Sequence, residues 1–335
     1  MKAPFVWFGG KRRVADAVWA ALGDVDNYVE PFAGSLAVLL ERPNPPRTET
    51  VNDADGFIAN FWRALAADPE AVAKHCDWPV NEVDLFARHL WLVNTGRSRL
   101  LEGMEADPEW FDPQIAGWWV WGINSWIGSG WCSGKGPWKH DAAGQGVKRQ
   151  LPHLGNAGQG VNRSHGHGGL YGYFDALADR LRNVRVCCGD WSRVVTDGAL
   201  TRGSTVGVFL DPPYLGDVRT ADLYSVDDHT ISHAVREWCL ANGDNPRYRI
   251  VLAGYAAEHD HLIPDTWGRH TYSASAAYST AASAARQDGN HVNRHTEMLW
   301  MSPHCAQPDT QIGLFDAEGV KPPAAEAAST KEHHP

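Results

Sequence analysis

Apolar side chains recur at helical spacing from Val14 to Leu22, give way to a short extended run at Asn27–Val29 that enters a glycine turn, and return at helical spacing over Leu36–Glu41. Thr50–Asp53 reads as a second strand end, and Gly56–Ala67 as a helix crowded with aromatic and aliphatic residues. From about Asp68 to Leu170 the pattern changes to helical pieces, dense tryptophan and then a glycine-rich stretch with no strand signal. Alternation resumes with a helix at Tyr173–Leu181, strands at Val184–Cys188 and Val206–Leu210, a helix at Thr230–Ala241, and strands at Tyr248–Ala253 and Glu297–Met301. Strand and helix taking turns predicts an α/β fold with a doubly wound, mostly parallel, Rossmann-like sheet. The interruption predicts a mainly helical, loop-rich insertion. Expected boundaries are 1–63 and 171–303 for the two parts of the sheet domain, 64–170 for the insertion and 304–335 for a disordered tail.

Composition changes this picture little. A chain of 335 residues has ample material for a core, and no apolar run reaches the length of about 18 residues that spans a membrane. Met1–Phe5 carries no apolar signal-peptide core, so a cytoplasmic protein is expected. Six cysteines form no C-x-x-C pair, and Cys187 and Cys188 read as small core residues on opposite faces of a strand; no disulfide framework is expected. His140, His153, His165 and His167 with Cys132 match no metal-ligand spacing, and metal-independent chemistry is expected.

The net charge of −10 disfavours nucleic acid, but its distribution matters more. Between Trp131 and Leu170 stand Lys135, Lys139, Lys148, Arg149 and Arg163 against Asp141 alone. A basic loop interleaved with tryptophan suits a polyanion with stackable bases. Trp110, Trp118, Trp119, Trp121, Trp126, Trp131 and Trp138 either pack a satellite core or present flat faces to a ligand.

The candidate chemistry lies at Asp211-Pro212-Pro213-Tyr214, directly after the apolar run Val206–Leu210. Proline cannot extend a central strand, so the chain must leave the sheet there, at the carboxyl end where open α/β sheets hold ligands. An exocyclic ring amine has its lone pair delocalised into the ring. A catalyst must accept its N–H hydrogen bonds and let the nitrogen pyramidalise toward an electrophile. Asp211 and the Pro212 carbonyl supply two acceptors, and Tyr214 a stacking face.

Four further segments align with this one: Trp7-Phe8-Gly9-Gly10-Lys11, Glu30-Pro31-Phe32-Ala33-Gly34-Ser35, Asn52-Asp53 and Gly189-Asp190-Trp191. In this order they resemble the Dam-type DNA adenine-N6 methyltransferases, whose signatures are W-x-G-G-K, E-P-F-x-G, an acid after the second strand, and D-P-P-Y. The resemblance covers roughly residues 1–63 and 171–302. It implies a methyltransferase sheet, S-adenosylmethionine as cofactor and double-stranded DNA as substrate. By resemblance Trp7 and Lys11 lie at the methionine end of the cofactor, with Glu30, Pro31, Phe32 and Gly34 in the turn around it. The amino terminus of a following helix would supply N–H donors. Asp53 is placed to accept from the ribose hydroxyls, Asp190 from the cofactor's adenine amino group, and Trp191 to lie beside that ring.

The family usually has E-P-F-x-G-x-G, whereas Leu36 stands at the second glycine here. That leucine either narrows cofactor access or packs beneath the sheet. The insertion occupies the place of the family's target-recognition region, and Trp121-Gly122-Ile123-Asn124 with the basic loop is expected nearest DNA. The target adenine would be flipped out, held by Asp211, Pro212 and Tyr214, and methylated directly. Alternatives are transfer to cytosine N4 or to RNA, or a degenerate module that grips DNA without catalysis. Gln311-Ile312-Gly313-Leu314-Phe315 in the tail looks like the peptide by which bacterial proteins dock on the replication sliding clamp. A bacterial or phage setting, with or without a cognate endonuclease of a restriction–modification pair, is expected.

Overall fold

The structure is a computed structural model, and it describes residues 1–5, 7, 11–126, 131–132, 139–140, 147–148, 161, 167–213, 228–272 and 297–306. Its strands are β1 (Asn27–Glu30), β2 (Thr48–Asp53), β3 (Lys139–His140), β4 (Val147–Lys148), β5 (Val184–Cys188), β6 (Val206–Leu210), β7 (Tyr248–Tyr255), β8 (Gly268–Tyr272) and β9 (Glu297–Met301). Seven of them form one sheet in the order β5-β2-β1-β6-β7-β9-β8, and β3 and β4 pair as a separate antiparallel ribbon. The five strands from β5 to β7 run parallel; β9 is antiparallel to both β7 and β8.

The sheet is covered on both faces, as its residues dictate. Tyr28, Val51, Phe209, Val251 and Leu299 enter one core, while their neighbours Val29, Val208, Leu210, Leu252 and Trp300 enter the other. Successive strand side chains point to opposite faces, so runs such as Val206–Leu210, buried throughout, require helices on each side. On the first face lie α1 (Ala15–Leu22), α2 (Gly56–Ala67) and α7 (Gly172–Leu181); on the second lie α8 (Asp228–Asn242) and the short α9 (Ala256–His259). The chain builds β1, β2 and β5 outward in one direction, then crosses back to place β6 on the other side of β1. The carboxyl ends of β1 and β6 therefore flank the switch point, where such sheets open a crevice.

The insertion contributes α3 (Pro69–Cys76), α4 (Glu82–Trp91), α5 (Arg97–Ala106) and α6 (Pro113–Ile123). Their starts are written in the sequence. Asp68 accepts from Ala71 N at 2.9 Å ahead of Pro69, and Asp112 accepts from Ile115 N at 2.9 Å ahead of Pro113. The expected boundary at 63/64 falls inside α2, which continues to Ala67.

The structure departs from the sequence reading in several places. Residues 36–41 form no α-helix: Gly34 and Leu36 both have positive φ, and only a 3-10 turn at Leu39–Glu41 follows. Strand β8 was not foreseen, and neither was the β3–β4 ribbon in the glycine-rich stretch. Within Trp121-Gly122-Ile123-Asn124 the first two residues are buried and the last two half-buried. Trp121 is fully buried and donates to Trp78 O at 2.9 Å, while Asn124 donates to Pro4 O at 3.1 Å. Trp119, Trp121, Trp126 and Trp131 all join the core that also holds α1 and α2, so these four extend the main core; Trp138 lies outside the described residues.

Candidate active site

Glu30 ends β1 and Asp211 follows β6, so the parallel pairing of β1 with β6 brings both to one rim. Between them lies a small, open cleft lined by Trp7, Lys11, Glu30, Phe32, Ala33, Gly34, Ser35, Ala37, Phe209 and Asp211. Six residues named from the sequence thus meet in one place although they lie in three separate segments.

The floor is an electrostatic cluster. Lys11 is 7 % exposed and its Nζ lies 3.2 Å from Asp211 Oδ1 and 3.6 Å from Glu297 Oε2. Burial by itself would depress the ammonium's pKa, but Asp211, Tyr272 and Glu297 outweigh it, and the net movement is upward. Lys11 is therefore a cation at any physiological pH. It is held against Asp211 at the carboxyl end of β6. Glu30, almost wholly buried, accepts from the Tyr28 hydroxyl at 2.9 Å. Burial first, and the charge of Asp211 further, push its pKa up to about 8, against the hydrogen bond from Tyr28. At neutral pH Glu30 is mostly neutral.

The wall is the turn at Gly34. Its φ is +46°, and a Cβ there would stand 2.5 Å from Trp7 Cδ1, so glycine is required both for the backbone and for the close approach of the tryptophan. Gly34 N donates to Asp53 Oδ2 at 2.9 Å and Gly34 O accepts from Trp62 Nε1 at 3.0 Å. Asp53 also accepts from Asp55 N at 2.9 Å through Oδ1. Burial, then the neighbouring charge of Asp55, raise its pKa to about 7. Asp53 is thus a clamp on the glycine turn. Leu36 does not narrow the cleft; it turns into the core with no exposed surface.

The third strand end is tied in by Asn52, whose amide donates to Pro31 O at 3.0 Å and to Gly189 O at 2.9 Å. This buried asparagine was passed over in favour of Asp53, although its place at the end of β2 was visible. Asp190 is exposed and accepts from Ser192 N at 2.9 Å, capping the 3-10 turn Trp191–Val194. Trp191 stacks on Phe32, with ring centroids 6.2 Å apart and planes at 26°. Pro212 is buried and Pro213 half-buried; Tyr214 lies outside the described residues, as do Gln311–Phe315 and most of the basic loop.

One segment therefore carries aromatic, cationic, acidic and glycine positions onto the strand ends of a methyltransferase-like sheet. Residues 7–86 match the family of D12 class N6 adenine-specific DNA methyltransferases. The D12 family acts on adenine N6 in DNA, as the motifs implied, and the match runs from Trp7 through β1, β2 and α2 into α4. A family of this kind uses S-adenosylmethionine and takes DNA as substrate. No curated protein matches the chain. Among the described residues, no helix is long and apolar enough to cross a membrane.

Proposed function

We propose that this protein is a site-specific DNA adenine-N6 methyltransferase that acts on a flipped-out adenine. The observation that carries the reading is the convergence of Trp7, Lys11, Gly34 and Asp211 on one cleft at the switch point, within and beside a D12 match.

The residues fit the cofactor on their own chemistry. One ammonium stands against two carboxylates, Asp211 and Glu297, and the aromatic residues Trp7 and Phe32 line the cleft with Asp211. Such a setting favours a cation such as a sulfonium. Gly34, Trp7 and Phe32 would hold S-adenosylmethionine from the β1 side, with Asp53 and Asp190 toward its ribose and adenine and Trp191 beside the ring. When bound, the cofactor supplies an electrophilic methyl group.

The chain's own contribution is acceptance and shape. Asp211 and the Pro212 carbonyl accept from the adenine amine, Tyr214 stacks on the flipped base, and Lys11, 3.2 Å from Asp211, holds that carboxylate in place. No covalent enzyme intermediate is needed. Leu36 was the residue that favoured a degenerate binding module, and its burial in the core removes that argument. Residues 64–170 are proposed to carry target recognition, and Gln311–Phe315 a clamp contact, to be tested by pull-down with and without residues 306–335.

Labelled methyl transfer to unmethylated DNA, followed by nucleoside analysis, tests the reading. N6-methyladenine is expected; N4-methylcytosine or no label would overturn it. Asp211→Ala should abolish transfer while the circular dichroism of the fold remains.

A further inference from the structure

Glu297 carries no sequence motif, yet the topology delivers it to the site. Because β9 runs antiparallel, it begins at the edge where the parallel strands end, and its first residue pairs in register with Tyr255 of β7 and Tyr272 of β8. Glu297 is only 4 % exposed, and its Oε2 lies 3.6 Å from the Lys11 ammonium that also touches Asp211. Lys11 sits 5.8 Å from the centre of the Tyr272 ring.

An ammonium paired with Asp211 alone would neutralise the acceptor just where a cationic sulfonium must approach and a positive amine must form. A second buried carboxylate against the same ammonium sets two carboxylates to one cation, a surplus of one negative charge. We propose that Glu297 is a positioning residue, which takes up the charge of Lys11 so that Asp211 stays an effective acceptor beside a cationic cofactor. The inference rests on the functional reading above for its cofactor, and not on the identity of the base. The titratable groups facing it are Lys11, Asp211, Tyr272 and Tyr255, with Glu30 beyond Asp211.

Three variants of the full chain, Glu297→Gln, Lys11→Met and the double, separate this role from simple packing. Melting temperatures should be coupled: E297Q lowers that of the wild type but not that of K11M, since a buried carboxylate without its cation has nothing to hold. Titration calorimetry with S-adenosylmethionine and with its neutral product S-adenosylhomocysteine should show E297Q weakening the first by about tenfold and leaving the second in place. Turnover should fall by about 10- to 100-fold. Additive melting shifts, or equal loss of both ligands, would overturn the proposal. If E297Q does not fold, Glu297→Asp, which keeps the charge, takes its place in the ligand comparison: discrimination between the two ligands close to that of the wild type is expected, and equal loss of both would overturn the proposal. A wild type that discriminates the two ligands but leaves DNA unmethylated would sink the substrate reading and leave Glu297 standing.

Discussion

Leu36 shows two residue-scale effects opposed at one position. Its φ of +57° is a conformation that glycine adopts freely and leucine does not, while its side chain is completely buried in the core. The left-handed backbone costs about 1–2 kcal/mol, and burial of a leucine is worth about 2–5 kcal/mol in truncation series. Burial wins. Leu36→Gly, although it restores the family's usual residue, should destabilise the protein by about 2 kcal/mol as read by chemical denaturation. A stabilised variant would mean that backbone strain dominates.

Glu30 gives a pH dependence of known sign. Its folded pKa of about 8 lies above its ordinary value of 4.5, so its contribution to stability is full below 4.5 and is lost as pH rises through 8. Glu30→Gln lacks that loss. The melting-temperature difference between variant and wild type should therefore move in the variant's favour from about pH 5 to pH 8; a difference independent of pH would show that Glu30 titrates normally.

At the scale of elements, legibility followed burial. Val206–Leu210 was readable because both of its faces are covered, leaving an unbroken apolar run ended by prolines. Strand β8 was unreadable because Arg269, His270 and Thr271 are exposed at its centre, so it shows no alternation. Residues 36–41 have a helical period, but the glycine turn spends its backbone on Asp53 and Trp62 instead, and a period cannot reveal that. The cluster at the cleft was half legible. Trp7, Lys11, Gly34 and Asp211 stand in recognisable local patterns, whereas Glu297 acquires its meaning only from strand order, and Asn52 from two carbonyls distant in sequence.

At the scale of the whole molecule, the insertion is fused to the sheet by aromatic packing. Trp119 of α6 lies 5.0 Å from Phe5, 6.0 Å from Phe61 and 6.2 Å from Trp7, ring centre to ring centre. A tryptophan of the insertion therefore backs a wall of the cleft. Trp119→Ala should destabilise by about 3–5 kcal/mol, melt in a single transition, and also weaken S-adenosylmethionine in titration calorimetry. Two separate transitions would show that the insertion unfolds independently of the sheet.

The ion pair between Lys11 and Glu297 also bears on biosynthesis. Nearly the whole chain separates the two residues, and β9 must slide between β7 and a β8 made earlier. While the ribosome is still short of residue 297, β8 has no neighbour to hydrogen-bond and Lys11 lacks one of its carboxylates. Long-range closure of this kind is a late and slow event in folding. A nascent or truncated chain ending before β9 can hold the glycine turn and the D12 segment and still have no complete site.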